Sequence, residues 1–198
     1  MGRTKARTYF QPDENTCGPA SLKTALEILG VRKSFKSLVE LCGTNRNGTP
    51  VHRLIKAANQ LGLSALCVEW ATLRHIQSTL RYSPGPRAAI VDYLYDHNGN
   101  GYEEESGHYA AIASYSSRSS RIVLFDSSTG GKKSYLWQEF MDRWYDYDFK
   151  RTKTSLPARK FRLSKKWNNR LLLVLARDPD HLPKFKTSTA RFYLPRSN

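Results

Sequence analysis

The chain has 198 residues, enough for one domain with a sizeable core, and a formal net charge of +15. Its longest uninterrupted apolar run, LLLVLA at 171–176, is far too short to span a bilayer, and the basic start MGRTKARTYF lacks the apolar core of a secretion signal. The charge is uneven: residues 1–148 carry 18 Lys/Arg against 15 Asp/Glu and residues 149–198 carry 14 against 2, which excludes a uniformly basic nucleic-acid binder.

The elements begin with a helix over residues 17–29, where Leu22, Ala25, Leu26 and Leu29 recur at the helical period. Asn15 or Thr16 can cap it, Pro19 suits its first turn and Gly30 stops it. A second helix runs over about 34–42, from Ser34 to the residue before Gly43. A third has Thr49 as cap, Pro50 just inside and Val51, Leu54, Ile55, Ala58 and Leu61 on one face. A fourth covers about 72–81. The period then shortens. ALCVEW (65–70), RAAIVDYLY (87–95), HYAAIASYS (108–116) and RIVLFDS (121–127) are short runs rich in apolar, β-branched and aromatic residues, and SSRSS forms a hairpin turn between the last two. WQEFMDRWYD (137–146) returns to helix, and RLLLVLAR (170–177) reads as a further strand. Residues 149–168 read as a basic connection and 178–198 as a loose basic tail. Helices followed by a mainly antiparallel sheet give an α+β domain over residues 1–177.

Three cysteines, Cys17, Cys42 and Cys67, form no CxxC pair, which argues against a disulfide framework or a structural zinc site and for a reducing, cytoplasmic setting. Cys17 differs from the others in its position. It opens a helix, where unpaired amides and the helix dipole favour a thiolate, and Gly18 beside it leaves room for a substrate backbone. A thiol nucleophile also needs a base. His108 heads the strand GHYAAIASY, and Asp126 ends the next strand, so antiparallel pairing would set the carboxylate beside the imidazole. Gln11, upstream of Cys17, offers a side-chain amide to a developing oxyanion next to the Cys17 backbone N–H. Each residue alone has a commonplace structural explanation. All four at the ends of elements point together to acyl transfer.

QPDENTCGPASLKTALEILG (11–30) and GHYAAIASYSSRSSRIVLFDSSTGGKKSYLWQEFMDRW resemble the nucleophile and histidine segments of the papain-like double-glycine peptidases, which trim leader peptides from bacteriocins, and their stand-alone relatives. GTPVHRLIKAANQLGLSALCVE and PGPRAAIVDY fit the middle helix and central strand, so the similarity covers about residues 9–145. The resemblance implies a papain-like fold, with Cys17 as nucleophile, His108 as base and acid, Asp126 as its orienting residue and Gln11 as oxyanion donor. No cofactor is implied. Relatives often have Asp-Pro where this chain has Asp126-Ser127, and many are fused to a membrane exporter, of which this chain shows no segment.

Other candidates are less distinctive. DHNGNGYEEESG (96–107) begins like a calcium loop, with Asp96, Asn98 and Asn100 at the first ligand positions, but Gly107 stands where a bidentate Glu is required. Glu103, Glu104 and Glu105 lead into His108 and would favour basic residues in a substrate. His52, His75, His97 and His181 lack metal-ligand spacing. Trp137, Phe140, Trp144, Tyr145 and Tyr147 read as packing on a helix face. Residues 149–198 suit either solubility or an anionic partner, nucleic acid or a membrane surface. The sequence therefore points to a cysteine peptidase acting on a peptide or protein substrate. Its rivals are another papain-fold amidase or transferase, and a non-catalytic binder that docks through the basic segment.

Overall fold

A computed structural model of the chain describes residues 6–81, 84–95, 107–153 and 161–195. Three helices come first: α1 (Cys17–Ile28), α2 (Phe35–Cys42) and α3 (Val51–Gln60). After β1 (Ser64–Val68) and α4 (Leu73–Leu80) come β2 (Ala88–Leu94), β3 (Gly107–Ser116), β4 (Arg121–Asp126) and β5 (Gly131–Leu136). The chain then forms α5 (Trp137–Arg143), β6 (Tyr145–Lys153), β7 (Phe161–Asn169), β8 (Leu172–Ala176), a 3-10 turn at Pro179–His181 and β9 (Ala190–Tyr193). Seven strands make one antiparallel sheet in the order β5-β4-β3-β2-β8-β1-β9, and β6 and β7 pair as a separate ribbon. The expected α+β architecture is the one observed.

The sheet lies between two apolar layers, and strand alternation divides its side chains between them. Ala65, Cys67, Ile90, Ala111, Leu173 and Leu175 face α1, α2 and α3 through Leu22, Leu26, Leu38 and Leu54. Leu66, Val91, Tyr93, Leu172 and Val174 face the opposite way, against Ile76 of α4 and Phe140 of α5. Central strands buried on both faces carry no polar alternation, which is why LLVLA reads as an unbroken apolar run and AAIVDYL as one interrupted only by the buried Asp92. Trp144 closes the second layer, its indole N–H donating to the Leu171 carbonyl at 2.9 Å.

Several local expectations need correction. Pro50, not Thr49, is the N-cap of α3, and the Thr49 hydroxyl instead meets that of Thr44 at 2.7 Å. The helix expected to reach 146 ends at Arg143, and Tyr145 and Tyr147 belong to β6, where they contact Trp167 of β7. Within the basic connection, residues 149–153 and 161–168 lie in β6 and β7, which pair in unbroken register from Tyr145↔Asn169 to Lys153↔Phe161. Nor is 178–198 uniformly loose: Leu182 is buried and β9 pairs with β1. Both segments carry polar and charged residues on their strands, so neither shows an apolar period.

The packing of the C-terminal segment gives a direct test. Leu182→Ala should lower unfolding free energy by about 2–4 kcal/mol in urea titrations, the usual cost of emptying a buried leucine site. Unchanged stability would mean that this segment does not pack on the sheet.

Candidate active site

The site is assembled where the start of α1 meets the ends of β3 and β4. Ser21, one turn into α1, donates its buried hydroxyl to the Tyr109 carbonyl at 2.7 Å, fixing the helix against β3 one residue beyond His108. Residues 8–11 strap across the same junction. Thr8 Oγ1 donates to the Gly131 carbonyl, the Tyr9 N–H donates to Thr24 Oγ1, and the Gln11 N–H donates to the Ser127 carbonyl at 2.9 Å. Cys17 thus opens α1 beside the head of β3, 6 % exposed on a cleft of about 800 Å³.

The antiparallel register places His108 and Asp126 as diagonal neighbours. Ala111 pairs with Phe125, so the next step sets Asp126 opposite Ala110, two residues from His108 on the same face. His108 Nε2 lies 3.5 Å from Asp126 Oδ1, an ion-pair contact at the outer limit of a hydrogen bond, and both side chains are buried. With Nε2 turned to Asp126, the other ring nitrogen is the one left for Cys17. Burial pushes the His108 imidazole down, but hydrogen bonds and charge from Asp126 and Cys17 more than reverse this, raising it to about 9.

Asp126 stays ionised although buried. Burial favours its neutral form, but the His108 contact, the Thr129 hydroxyl at 2.9 Å and the Ser128 N–H at 3.1 Å outweigh that and hold it below the usual carboxylate range. The Tyr95 hydroxyl also donates to it, at 3.2 Å. Tyr95 is fixed in turn by Lys133, whose Nζ sits 3.6 Å from its ring centre, and by Arg143 Nη1 donating to its carbonyl. Tyr93 and Tyr95 both contact the His108 ring. None of these supports stood out in the sequence; the Thr two residues beyond Ser127 was the one local signal, since a Thr at that spacing readily turns back onto an Asp.

Two features differ from expectation. Thr16 does occupy the N-cap of α1, but its hydroxyl donates to the Asp13 carbonyl and caps nothing, so the first-turn amides lack a side-chain partner. Gly18 serves helix packing and not substrate approach: a Cβ there would lie 2.8 Å from Thr49 Cβ. The Gln11 side chain lies between the 127 turn and residue 13, with Oε1 accepting from Ser127 Oγ and Nε2 donating to the Asp13 carbonyl at 2.9 Å. One amide hydrogen remains for another acceptor.

The cleft wall opposite α3 comes from β6. Asp146 packs against Gly107, where a Cβ would lie 2.1 Å from its Oδ2, and Asp148 Oδ2 accepts from the Val51 N–H at the start of α3. Behind them Asp92 is wholly buried. Desolvation and the charge of Asp146 hold its carboxyl well above the usual range, and Asn168 donates to its Oδ2. His52 lines the cleft, whereas His75 caps α4 through Thr72. Asp96, Asn98 and Asn100 and the three glutamates at 103–105 lie outside the described residues. Among the described residues no cluster of His, Cys, Asp and Glu is placed to hold a metal ion, and no helix is long and apolar enough to cross a membrane.

Residues 5–155 match the sequence profile of the Peptidase C39 family. An uncharacterized protein of Methanothermobacter marburgensis is 33 % identical over 115 residues, covering 58 % of this chain and 67 % of that protein. Another, from Methanothermobacter thermautotrophicus, is 48 % identical over 56 residues, 28 % of this chain and 39 % of its own length. Among solved structures, the peptidase domain of Streptococcus ComA, a bi-functional ABC transporter involved in quorum sensing, superposes with a TM-score of 0.61 at 19 % identity, over 87 % of this chain and 99 % of that domain. A double glycine motif protease from an AMS/PCAT transporter, solved with its leader peptide, gives 0.56 at 19 % identity, over 72 % and 88 %. At such identity these two matches establish a shared fold.

The raised imidazole links stability to pH. An unfolded His titrates near 6.5 and His108 near 9, so the stability held by its imidazolium is complete below about 6.5 and lost as pH rises through 9. Urea midpoints should fall across that window by the equivalent of roughly 3 kcal/mol, while Asp126, lowered in the fold, is ionised throughout it. His108→Ala should flatten the profile; a variant with the wild-type slope would show that His108 is not the titrating group.

Proposed function

The chain belongs to the peptidase C39 family and is a cysteine peptidase, and we propose that Cys17, His108 and Asp126 are its catalytic residues, with Gln11 completing the oxyanion site. One observation carries this reading: the buried His108 ring lies 3.5 Å from Asp126 and interacts with Cys17, which opens α1. An imidazole raised to about 9 is held as the imidazolium at neutral pH, the partner that a nucleophilic sulfur requires.

The chemistry follows from that pair. The Cys17 sulfur bonds to the substrate carbonyl carbon as the C=O π electrons move to oxygen. The Cys17 backbone N–H and the remaining Gln11 Nε2 hydrogen donate to that oxyanion. On collapse the C–N bond breaks, His108 gives its proton to the departing nitrogen and a thioester remains. Water then loses a proton to His108 while its oxygen attacks the thioester. Collapse of the second oxyanion breaks the C–S bond, releasing the acid and restoring the ion pair. Throughout, Asp126 holds the ring and balances its charge.

The substrate is a peptide. The fold shared with a leader-peptide-bound double glycine motif protease supports a small-residue recognition segment ahead of the scissile bond. Because Cys17, Cys42 and Cys67 are all unpaired, a reducing compartment such as the cytoplasm suits the enzyme. Burial pushes the Cys42 and Cys67 thiols up to about 12, leaving them poor competitors for a thiol reagent.

A peptidyl coumarin amide with Gly-Gly on its acyl side tests the assignment. Cys17→Ala and His108→Ala should each lower kcat/KM by about 10³-fold or more. A thiol-reactive peptide should label Cys17 stoichiometrically, with labelling weakened in His108→Ala. Turnover that survives Cys17→Ala, or labelling directed to Cys42 or Cys67, overturns it.

A further inference from the structure

We propose that Ser127 is a positioning residue for this reaction: its hydroxyl sets the orientation of the Gln11 amide so that the N–H end, and not the carbonyl end, faces the substrate oxygen. The inference rests on the reading that Gln11 lines the oxyanion site.

A primary amide has nearly the same shape in its two flipped orientations but opposite hydrogen-bonding character. In one it donates to an oxyanion; in the other it presents a second negative oxygen to it. Something must decide between them. Here two contacts agree. Nε2 lies 2.9 Å from the Asp13 carbonyl, an acceptor that only a donor can satisfy. Oε1 lies 2.7 Å from Ser127 Oγ, which donates to it. Both residues are buried, Ser127 at 1 % and Gln11 at 8 % exposure, so water cannot readily substitute for either partner.

The main chain tightens the same junction, since the Gln11 N–H donates to the Ser127 carbonyl at 2.9 Å. Residues 11 and 127 therefore grip one another twice, through backbone and side chain. Ser127 also follows Asp126 directly, so the oxyanion donor and the carboxylate behind the base are tied to adjacent residues of one turn. Without the Ser127 hydroxyl Oε1 would be a buried acceptor without a partner, and rotation to relieve that would carry the donor out of line.

The experiment compares Ser127→Ala, Ser127→Thr and Gln11→Ala on the Gly-Gly coumarin substrate. Ser127→Ala should lower kcat about tenfold with KM within about twofold, a fraction of what deleting an oxyanion donor costs. Affinity for a peptide aldehyde, whose hemithioacetal oxygen occupies the oxyanion site, should fall by a similar factor. Alkylation of Cys17 by iodoacetamide, which creates no oxyanion, should keep its rate and so reports an intact fold and thiolate. Ser127→Thr should recover most of the loss, and Ser127→Ala should add nothing in a Gln11→Ala background. The proposal is overturned if Ser127→Ala leaves kcat unchanged, if alkylation slows in parallel with kcat, or if the two losses multiply. It is equally overturned if Ser127→Thr alkylates normally yet turns over no faster than Ser127→Ala. A neutral Gln11→Ala, or turnover in Cys17→Ala, would remove the underlying reading as well; a neutral Ser127→Ala beside damaging Gln11→Ala and Cys17→Ala would refute the Ser127 role alone.

Discussion

The hydrogen bond from the Ser21 hydroxyl to the Tyr109 carbonyl joins the two halves of the site, and the geometry around it depends on how closely α1 is held to β3. A buried bond between neutral groups contributes only about 1 kcal/mol net, but removing one partner strands the other out of reach of water. Helix and strand are thereby held at one separation, and that separation sets the reach from Cys17 to His108. The same end of α1 is left electrostatically open, because Thr16 donates to Asp13 and leaves the first-turn amides without a side-chain acceptor. An N-terminus with no acidic side chain in its first turn keeps its dipole free for an anion at Cys17.

Charge at the site is balanced by neighbours and not by solvent. An imidazolium in a buried position is costly alone, and so is the carboxylate behind it. Together, with Tyr95, Thr129 and the Ser128 amide donating to Asp126, each becomes tolerable, and their shifts run in opposite directions for that reason. Arg143 and Lys133 reinforce this by fixing Tyr95 instead of meeting the carboxylate. The cations thus stabilise the ring that holds Asp126 without competing with His108 for it.

Much of this was legible in the sequence where burial imposes a period. The helices α1 to α4 announced themselves through apolar spacing and the glycines at 30, 43 and 62, each of which takes a positive φ. The doubly buried β2, β3, β4 and β8 did so through apolar runs. The candidate site residues Cys17, His108 and Asp126 stand out for a related reason: each stands at or next to an element end, where the apolar pattern breaks off. By contrast β5 (GKKSYL) buries only Tyr135, and β9 and the β6–β7 ribbon mix charged, polar and aromatic residues with no apolar period. The Ser127–Gln11 contact, 116 residues apart in the chain, leaves no local trace at all. Gly18 misled for a different reason, since a glycine demanded by the Thr49 side chain looks the same as one that admits a ligand.

The uneven charge acquires a physical meaning once the sheet is closed. β8 lies between β1 and β2 at the centre, and β9 adds to the far side of β1, so two strands from the last fifty residues are built into the sheet that carries His108. Their cations sit beside body residues: Lys166 lies 3.9 Å from Glu69, and Arg191 pairs in register with Cys67. Lys166 and Arg191 line a second depression that shares Pro50, His52 and Asp148 with the catalytic cleft. Lys166 and Arg191 share that depression with Glu69 and Asp148, so cations of the basic segment are met there by carboxylates of the body.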